Sequence, residues 1–150
     1  IFRVPLVVVG CGGSYKRKVQ QYLVEQGLER WVEWKELVSN EELKRLYTNA
    51  QMLVCPSFYS GGYEPMVEAL LCGCPVVTSH ANRLPGKGNA YVMQADPNSK
   101  EDMRDNMTKL MTDSALRQQI VEQGRAYMMD TFAPQKLAQQ LMAVYEAVKR

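Results

Sequence analysis

The chain has 150 residues, the size of one domain and long enough to bury a core. Its 18 basic and 16 acidic residues leave a net charge of +2, spread without an arginine-rich arm or lysine block, so electrostatics points to neither nucleic acid nor membrane as a partner. No stretch approaches the roughly 18 apolar residues of a membrane span, and IFRVPLVVVG lacks the charged region and cleavage site of a signal peptide, which predicts a cytoplasmic protein.

The chain lacks an initiator Met and enters a strand pattern almost at once, so sequence upstream of Ile1 is expected. Leu6 to Val9 is a continuous apolar run between Pro5 and the turn Gly10-Cys11-Gly12-Gly13, which predicts a buried strand. Residues 16 to 27 place Val19, Tyr22 and Leu23 at helical spacing, with Gly27 as terminator. Trp31 to Trp34 is a short strand candidate. Ser39 then offers a cap ahead of Glu41 and Glu42, and Leu43, Leu46, Tyr47 and Ala50 give one apolar helix face. Met52 to Cys55 predicts a second buried strand, Pro65 to Leu71 a helix ended near Gly73, and Pro75 to Thr78 another strand. Tyr91 to Met93 predicts the last strand. Three helical patterns follow, marked by Met103, Met107, Leu110 and Met111, then Leu116, Ile120, Gly124 and Tyr127, then Leu137, Leu141, Val144, Tyr145 and Val148. The methionines read as core filler. Strands alternating with helices predict an α/β fold, a doubly wound parallel sheet.

Cys11, Cys55, Cys72 and Cys74 fit neither a paired zinc motif nor a disulfide framework, and His80 is the single histidine, so no metal site is expected. In a doubly wound sheet, ligands bind beyond the carboxyl ends of the strands. Three loops fall there: Gly10 to Ser14, Lys35 to Asn40, and Pro56 to Glu64. In the third, Gly61 and Gly62 let backbone approach a ligand, and a helix starting near Glu64 or Pro65 presents amides and a positive dipole end suited to phosphate. Glu64 and Glu68 follow one helical turn apart. A carboxylate repels phosphate but accepts hydrogen bonds from ribose hydroxyls, which suits Glu68 to the sugar of a nucleotide. A plainer reading is that both acids complement the helix dipole, for about 0.3–1 kcal/mol each. Lys16 and Arg17 read as a solvated helix start, and Lys87 as a weaker candidate facing the cleft.

The stretch SFYSGGYEPMVEALLCGCPVVTS resembles the signature of the retaining GT-B glycosyltransferases of family four, close to S-x-x-E-G-F-G-x-P-x-x-E-A-M-A-x-G-x-P-V-V. PLVVVGCGGSYKRKV, VEWKELVSNEELKRLYTNAQMLVCPS and FAPQKLAQQLMAVYEAV are similar to further segments of that family, in the same order. The resemblance implies a Rossmann-like, C-terminal half of a GT-B fold that binds a nucleoside-diphosphate sugar. It implies no metal or other cofactor, and an N-terminal acceptor-binding half absent from this chain, along with its first strand. A protein of that kind works in surface polysaccharide or glycolipid assembly, in the cytoplasm or at the inner face of the membrane. By the same resemblance Glu68 binds the donor ribose, and Gly61, Gly62 and Tyr63 meet the transferred sugar and diphosphate. Leu37 and Val38 meet the base, and Gly10 and Gly12 lie near the nucleotide.

The departures fall at the sugar. The first acid of the family's pair aligns with Ser60, and Glu64 stands four positions later, so Ser60 and Glu64 are the residues expected at the reacting sugar. Tyr63 replaces a glycine. The family's diphosphate-neutralising Arg and Lys lie on a loop before Ile1, so the chain alone is expected to be inactive. A rival reading is a non-catalytic nucleotide-binding module with a degenerate donor site. A dinucleotide-binding oxidoreductase fits poorly, because Gly10 to Tyr15 lacks the last glycine of G-x-G-x-x-G.

Overall fold

A computed structural model describes residues 4–10, 12–59 and 62–149. Its contacts divide the chain into two compact units, Ile1–Leu43 and Lys44–Arg150.

In the first unit, β1 (Leu6–Val9) and β2 (Val32–Lys35) pair in parallel, with Leu6 opposite Val32 and Val9 opposite Lys35. The Gly10 amide extends the ladder to the Lys35 carbonyl at 3.0 Å. Between the strands, α1 (Ser14–Glu25) ends where Gly27 takes a φ of 63°. There the Leu28 amide reaches back to the Leu23 carbonyl at 2.8 Å, a closure that favours glycine. The sequence predicts β1 as buried, yet Leu6 is 51% and Val9 38% exposed. A sheet two strands wide with one covering helix cannot enclose both strand faces. The strand expected at Trp31–Trp34 starts one residue later, because Glu29–Trp31 form a 3-10 turn.

The helix α2 (Asn40–Asn49) is capped by Ser39, whose hydroxyl accepts from the Glu42 amide at 3.2 Å. In the second unit β3 (Leu53–Cys55), β4 (Val76–Ser79) and β5 (Met93–Ala95) form a parallel sheet with β4 central. Leu53 lies opposite Val76, and Val77 opposite Met93. Every residue of β4 is buried, as expected of a central parallel strand covered on both faces. Its side chains alternate between two cores. Val76 joins Met66, Ala69 and Leu70 of α3 (Glu64–Leu71) and Met128 of α5 (Ser114–Thr131). Val77 joins Leu110 of α4 (Lys100–Thr112) and Ile120 of α5, with Met52, Met93, Met103 and Met107 packed around them. Met52, Met66, Met93, Met103, Met107 and Met128 do pack into the cores, whereas Met129 and Met142 are exposed.

β3, expected to be buried, is half-buried throughout, since β4 is its only strand neighbour among the described residues. The last strand starts at Met93 rather than Tyr91. Gly88–Tyr91 wind into a 3-10 turn instead, and the Tyr91 ring lies 5.2 Å from that of Tyr127. The closing helix α6 (Pro134–Val148) forms as predicted but buries none of its described residues.

Candidate functional site

The carboxyl ends of β3 and β4 are tied together by three side chains reaching for carbonyls of the β3 exit. Thr78 Oγ1 donates to the Cys55 carbonyl at 3.4 Å, Asn82 Nδ2 to the same carbonyl at 3.2 Å, and the Ser79 hydroxyl to the Ser57 carbonyl. Thr78 and Ser79 are wholly buried, so these bonds satisfy polar groups that burial would otherwise penalise. They also hold the start of the loop that leads into α3.

At the head of α3, Pro65 has no N–H, and the amides of Met66 and Val67 both donate to the Tyr63 carbonyl at 3.1 Å. The Glu64 amide is therefore the one first-turn donor without a partner among the described residues. The sequence expectation of several free amides is corrected by that geometry: the helix end offers one amide and its dipole. The centre of the Tyr63 ring lies 5.9 Å from that of Phe132. Glu64 bends back over Gly62 so closely that a Cβ there would collide with its carboxylate.

Glu68, one turn on, is exposed, and its Oε2 accepts from the Tyr47 hydroxyl at 3.3 Å. Sequence reasoning placed Tyr47 on the apolar face of α2 and missed its hydroxyl. The available signal was a tyrosine among the aliphatic residues of that face, since a half-buried phenol needs a partner.

Gly10, Gly12, Leu37 and Val38 belong to the first unit, whereas Gly62, Tyr63, Glu64 and Glu68 belong to the second. Gly10 has a φ of 76°, and a Cβ at Gly10 or Gly12 would meet nothing within 4 Å. Leu37 is 94% exposed. Ser60 and Gly61 lie outside the described residues. Lys16, expected to be solvated, is instead largely covered: its ammonium pairs with Glu36 at 2.9 Å and lies 5.6 Å from the Trp34 ring centre. Both contacts stand beside the end of β2, within reach of a lysine on the first turn of α1. Lys87 is exposed, with its amide held by the Tyr127 hydroxyl at 2.9 Å.

Two cavities accompany these elements. The larger, about 240 Å³, lies between α1 and the amino end of β2, lined by Gln20, Leu23, Val24, Glu29, Val32 and Trp34. That is the wrong end of a parallel strand for a ligand. The smaller, about 120 Å³, lies under the α3 N-terminus and is lined by Cys55, Ser57, Gly62, Pro65, Met66 and Asn82. Asn82 is 3% exposed, and its Oδ1 is buried with no partner among the described residues. An orphaned acceptor of that kind costs about 1–3 kcal/mol. Sequence reasoning missed Asn82, which sits in a polar stretch without a motif. Burial pushes the Cys74 thiol up to about 11 and raises that of Cys55 as well, so both are poor nucleophiles. Among the described residues no three His, Cys, Asp or Glu side chains are grouped to hold a metal ion.

Residues 3–127 match the family described as glycosyl transferases group 1. The O-antigen chain mannosyltransferase B of Escherichia coli is 34% identical over 125 residues, which are 83% of this chain and 32% of that protein. The MMP alpha-(1->4)-mannosyltransferase of Mycolicibacterium hassiacum is 28% identical over 130 residues, 85% of this chain and 32% of that protein. The chain thus spans about a third of the curated relatives it matches. Among solved structures, Anabaena Alr3699/HepE in complex with UDP and glucose superposes with a TM-score of 0.82 at 18% identity, over 97% of this chain and 41% of that one. That likeness establishes the fold, the Rossmann-like carboxyl-terminal half of a GT-B architecture.

Proposed function

The chain belongs to the group 1 glycosyl transferases, and on that premise we propose that it is the donor-binding half of a retaining glycosyltransferase. The whole protein would move a sugar from a nucleoside-diphosphate sugar to a polysaccharide or glycolipid acceptor held by an N-terminal half. The observation that carries this reading is the exposed Glu68 carboxylate, one turn inside α3, with one oxygen held by Tyr47. Its other oxygen is left to accept the ribose hydroxyls, while the Glu64 amide and the dipole end of α3 meet the diphosphate.

In this reading the backbone of Gly61, Gly62 and Tyr63 carries the transferred sugar, with Ser60 and Glu64 nearest the reacting centre. Leu37 and Val38 meet the base, and Gly10 and Gly12 lie beside the nucleotide. The phosphate leaves from the face that the incoming hydroxyl approaches, which preserves the anomeric configuration. The two mannosyltransferase relatives support mannose as the sugar, and the UDP complex of HepE supports a nucleoside diphosphate as the carrier. Diphosphate neutralisation here rests on one amide and a helix dipole, so the chain alone should bind donor without transferring it. We place the whole enzyme in the cytoplasm or at the inner face of the membrane.

A second reading, a nucleotide-binding module that has lost catalysis, draws on Glu64. Its carboxylate is folded against Gly62, inside the loop where a sugar would lie. Calorimetric titration of the chain with UDP, GDP and ADP tests the donor site. One nucleoside diphosphate should bind, and Glu68→Ala should weaken it about tenfold, the worth of a charge-assisted hydrogen bond. Binding unchanged by that substitution refutes the ribose assignment. Binding by none of the three removes the donor reading altogether.

A further inference from the structure

The donor reading leaves a charge imbalance in the second unit. Glu64 and Glu68 both bring a carboxylate to α3, and the helix end returns only about half a positive charge. A diphosphate adds further negative charge, so a site built of these parts alone would repel it. A cation is called for at the carboxyl edge of β3 and β4, and the loop leaving β4 carries one.

That loop is firmly held. The His80 amide donates to the Ala95 carbonyl at 3.0 Å, and the Asn82 amide returns to the Ser79 carbonyl at 3.1 Å. Asn82 Nδ2 ties the loop to the Cys55 carbonyl at the β3 exit, and the Leu84 amide donates to Asn89 Oδ1 at 2.9 Å. Asn82 and Leu84 are each 3% exposed. Asn82 lines the cavity under the α3 N-terminus with Gly62, Pro65 and Met66, and Leu84 packs in the core with Met66 and Val67. Arg83 stands between these two inward side chains and is itself exposed. Its guanidinium makes no hydrogen bond or ion pair among the described residues. The other basic residues of this stretch are placed less well. His80 stands beside Asp96, close enough for their charges to interact, and Lys87 follows where the loop has crossed to Tyr127 of α5.

We infer that Arg83 is a further donor-site residue, whose guanidinium binds the diphosphate of the nucleotide sugar together with the N-terminus of α3. This rests on the donor-binding reading above and adds the cation which that reading lacks in the second unit. Arginine suits the task, because its planar fork donates paired hydrogen bonds to phosphate oxygens and never loses its proton. Its backbone is already fixed through Asn82 and Leu84, so binding has only the side chain to order. A single guanidinium holds the diphosphate without completing its neutralisation, and donor binding without transfer remains the expectation for the chain alone.

Calorimetry of the chain with UDP, GDP and ADP, at about 0.05 M and about 0.5 M salt, tests the inference. For the nucleotide that binds, Arg83→Gln should weaken binding about tenfold at the lower salt, the worth of a charge-assisted hydrogen bond. The loss should shrink to about threefold at the higher salt, where screening already weakens the unmodified site. Arg83→Lys keeps the charge without the fork and should recover part of the loss, and neither substitution of this exposed side chain should shift the melting temperature. Affinity unchanged by Arg83→Gln overturns the inference and leaves the donor reading standing, as does a loss that is the same at both salt concentrations. A loss on Lys87→Gln in place of Arg83→Gln overturns it too. If the unmodified chain binds none of the three nucleotides, the inference falls together with the donor reading.

Discussion

Tyr47 is half-buried in α2, and burial, reinforced by the Glu68 carboxylate, raises its phenol well above the usual tyrosine range. The hydroxyl consequently stays protonated and keeps donating to Glu68 throughout the neutral range. Because the folded value is raised, this stabilisation is complete below the ordinary tyrosine value of 10.0 and declines only as pH climbs past it. Tyr47→Phe removes the donor and keeps the ring, so melting temperature should change little. Nucleoside diphosphate binding should weaken about threefold to tenfold, measured by calorimetry beside Glu68→Ala, since a carboxylate free to rotate pays more entropy on binding. At this scale the sequence was half legible. Glu68 stood out because an acid one turn into a helix after a glycine loop has few uses. Tyr47 and Asn82 did not, because each acquires its meaning from a partner distant in the chain, Glu68 in one case and Cys55 in the other.

Among the elements, α5 shows most clearly how packing overrides local preference. Gly124 lies in its middle, where glycine costs about 1 kcal/mol of helix stability relative to alanine. It is retained at a close crossing: a Cβ there would stand 3.0 Å from Leu70 Cδ2 and 3.1 Å from Tyr91 Cβ. Leu70 is wholly buried and has nowhere to retreat. Gly124→Val should therefore destabilise the fold by about 1–3 kcal/mol, read as a lower urea midpoint with an unchanged m-value. Element types were well marked in the sequence, since most helices carried a 3.6-residue period and β1 and β4 their β-branched runs. Boundaries were less so. The 3-10 turns at Glu29–Trp31 and Gly88–Tyr91 took residues assigned to strands, and a single turn is too short to leave a periodic signal.

Across the whole molecule the buried residues are distributed unevenly. Every buried hydrophobic side chain among the described residues, from Met66 to Met128, belongs to the second unit. The first unit holds β1 and β2 with the ends of β1 exposed, and no residue of α1 is buried. Native-state hydrogen exchange should accordingly find the amides of β1 and β2 exchanging well ahead of those of β4, whose protection should approach that of global unfolding. Equal protection in the two sheets would contradict this distribution of the core. By itself, the sequence determined the order and kind of the elements, the parallel α/β class, and the loop and acid on which the proposed donor site rests. Periodicity, turn residues and the resemblance of SFYSGGYEPMVEALLCGCPVVTS are all local along the chain. Only the tertiary structure decided how much of each strand is covered, which amides of α3 remain free and which hydroxyl holds Glu68. It alone left Asn82 with an unpaired oxygen. Burial and hydrogen-bond pairing belong to contacts between distant segments, and no stretch of sequence carries both partners.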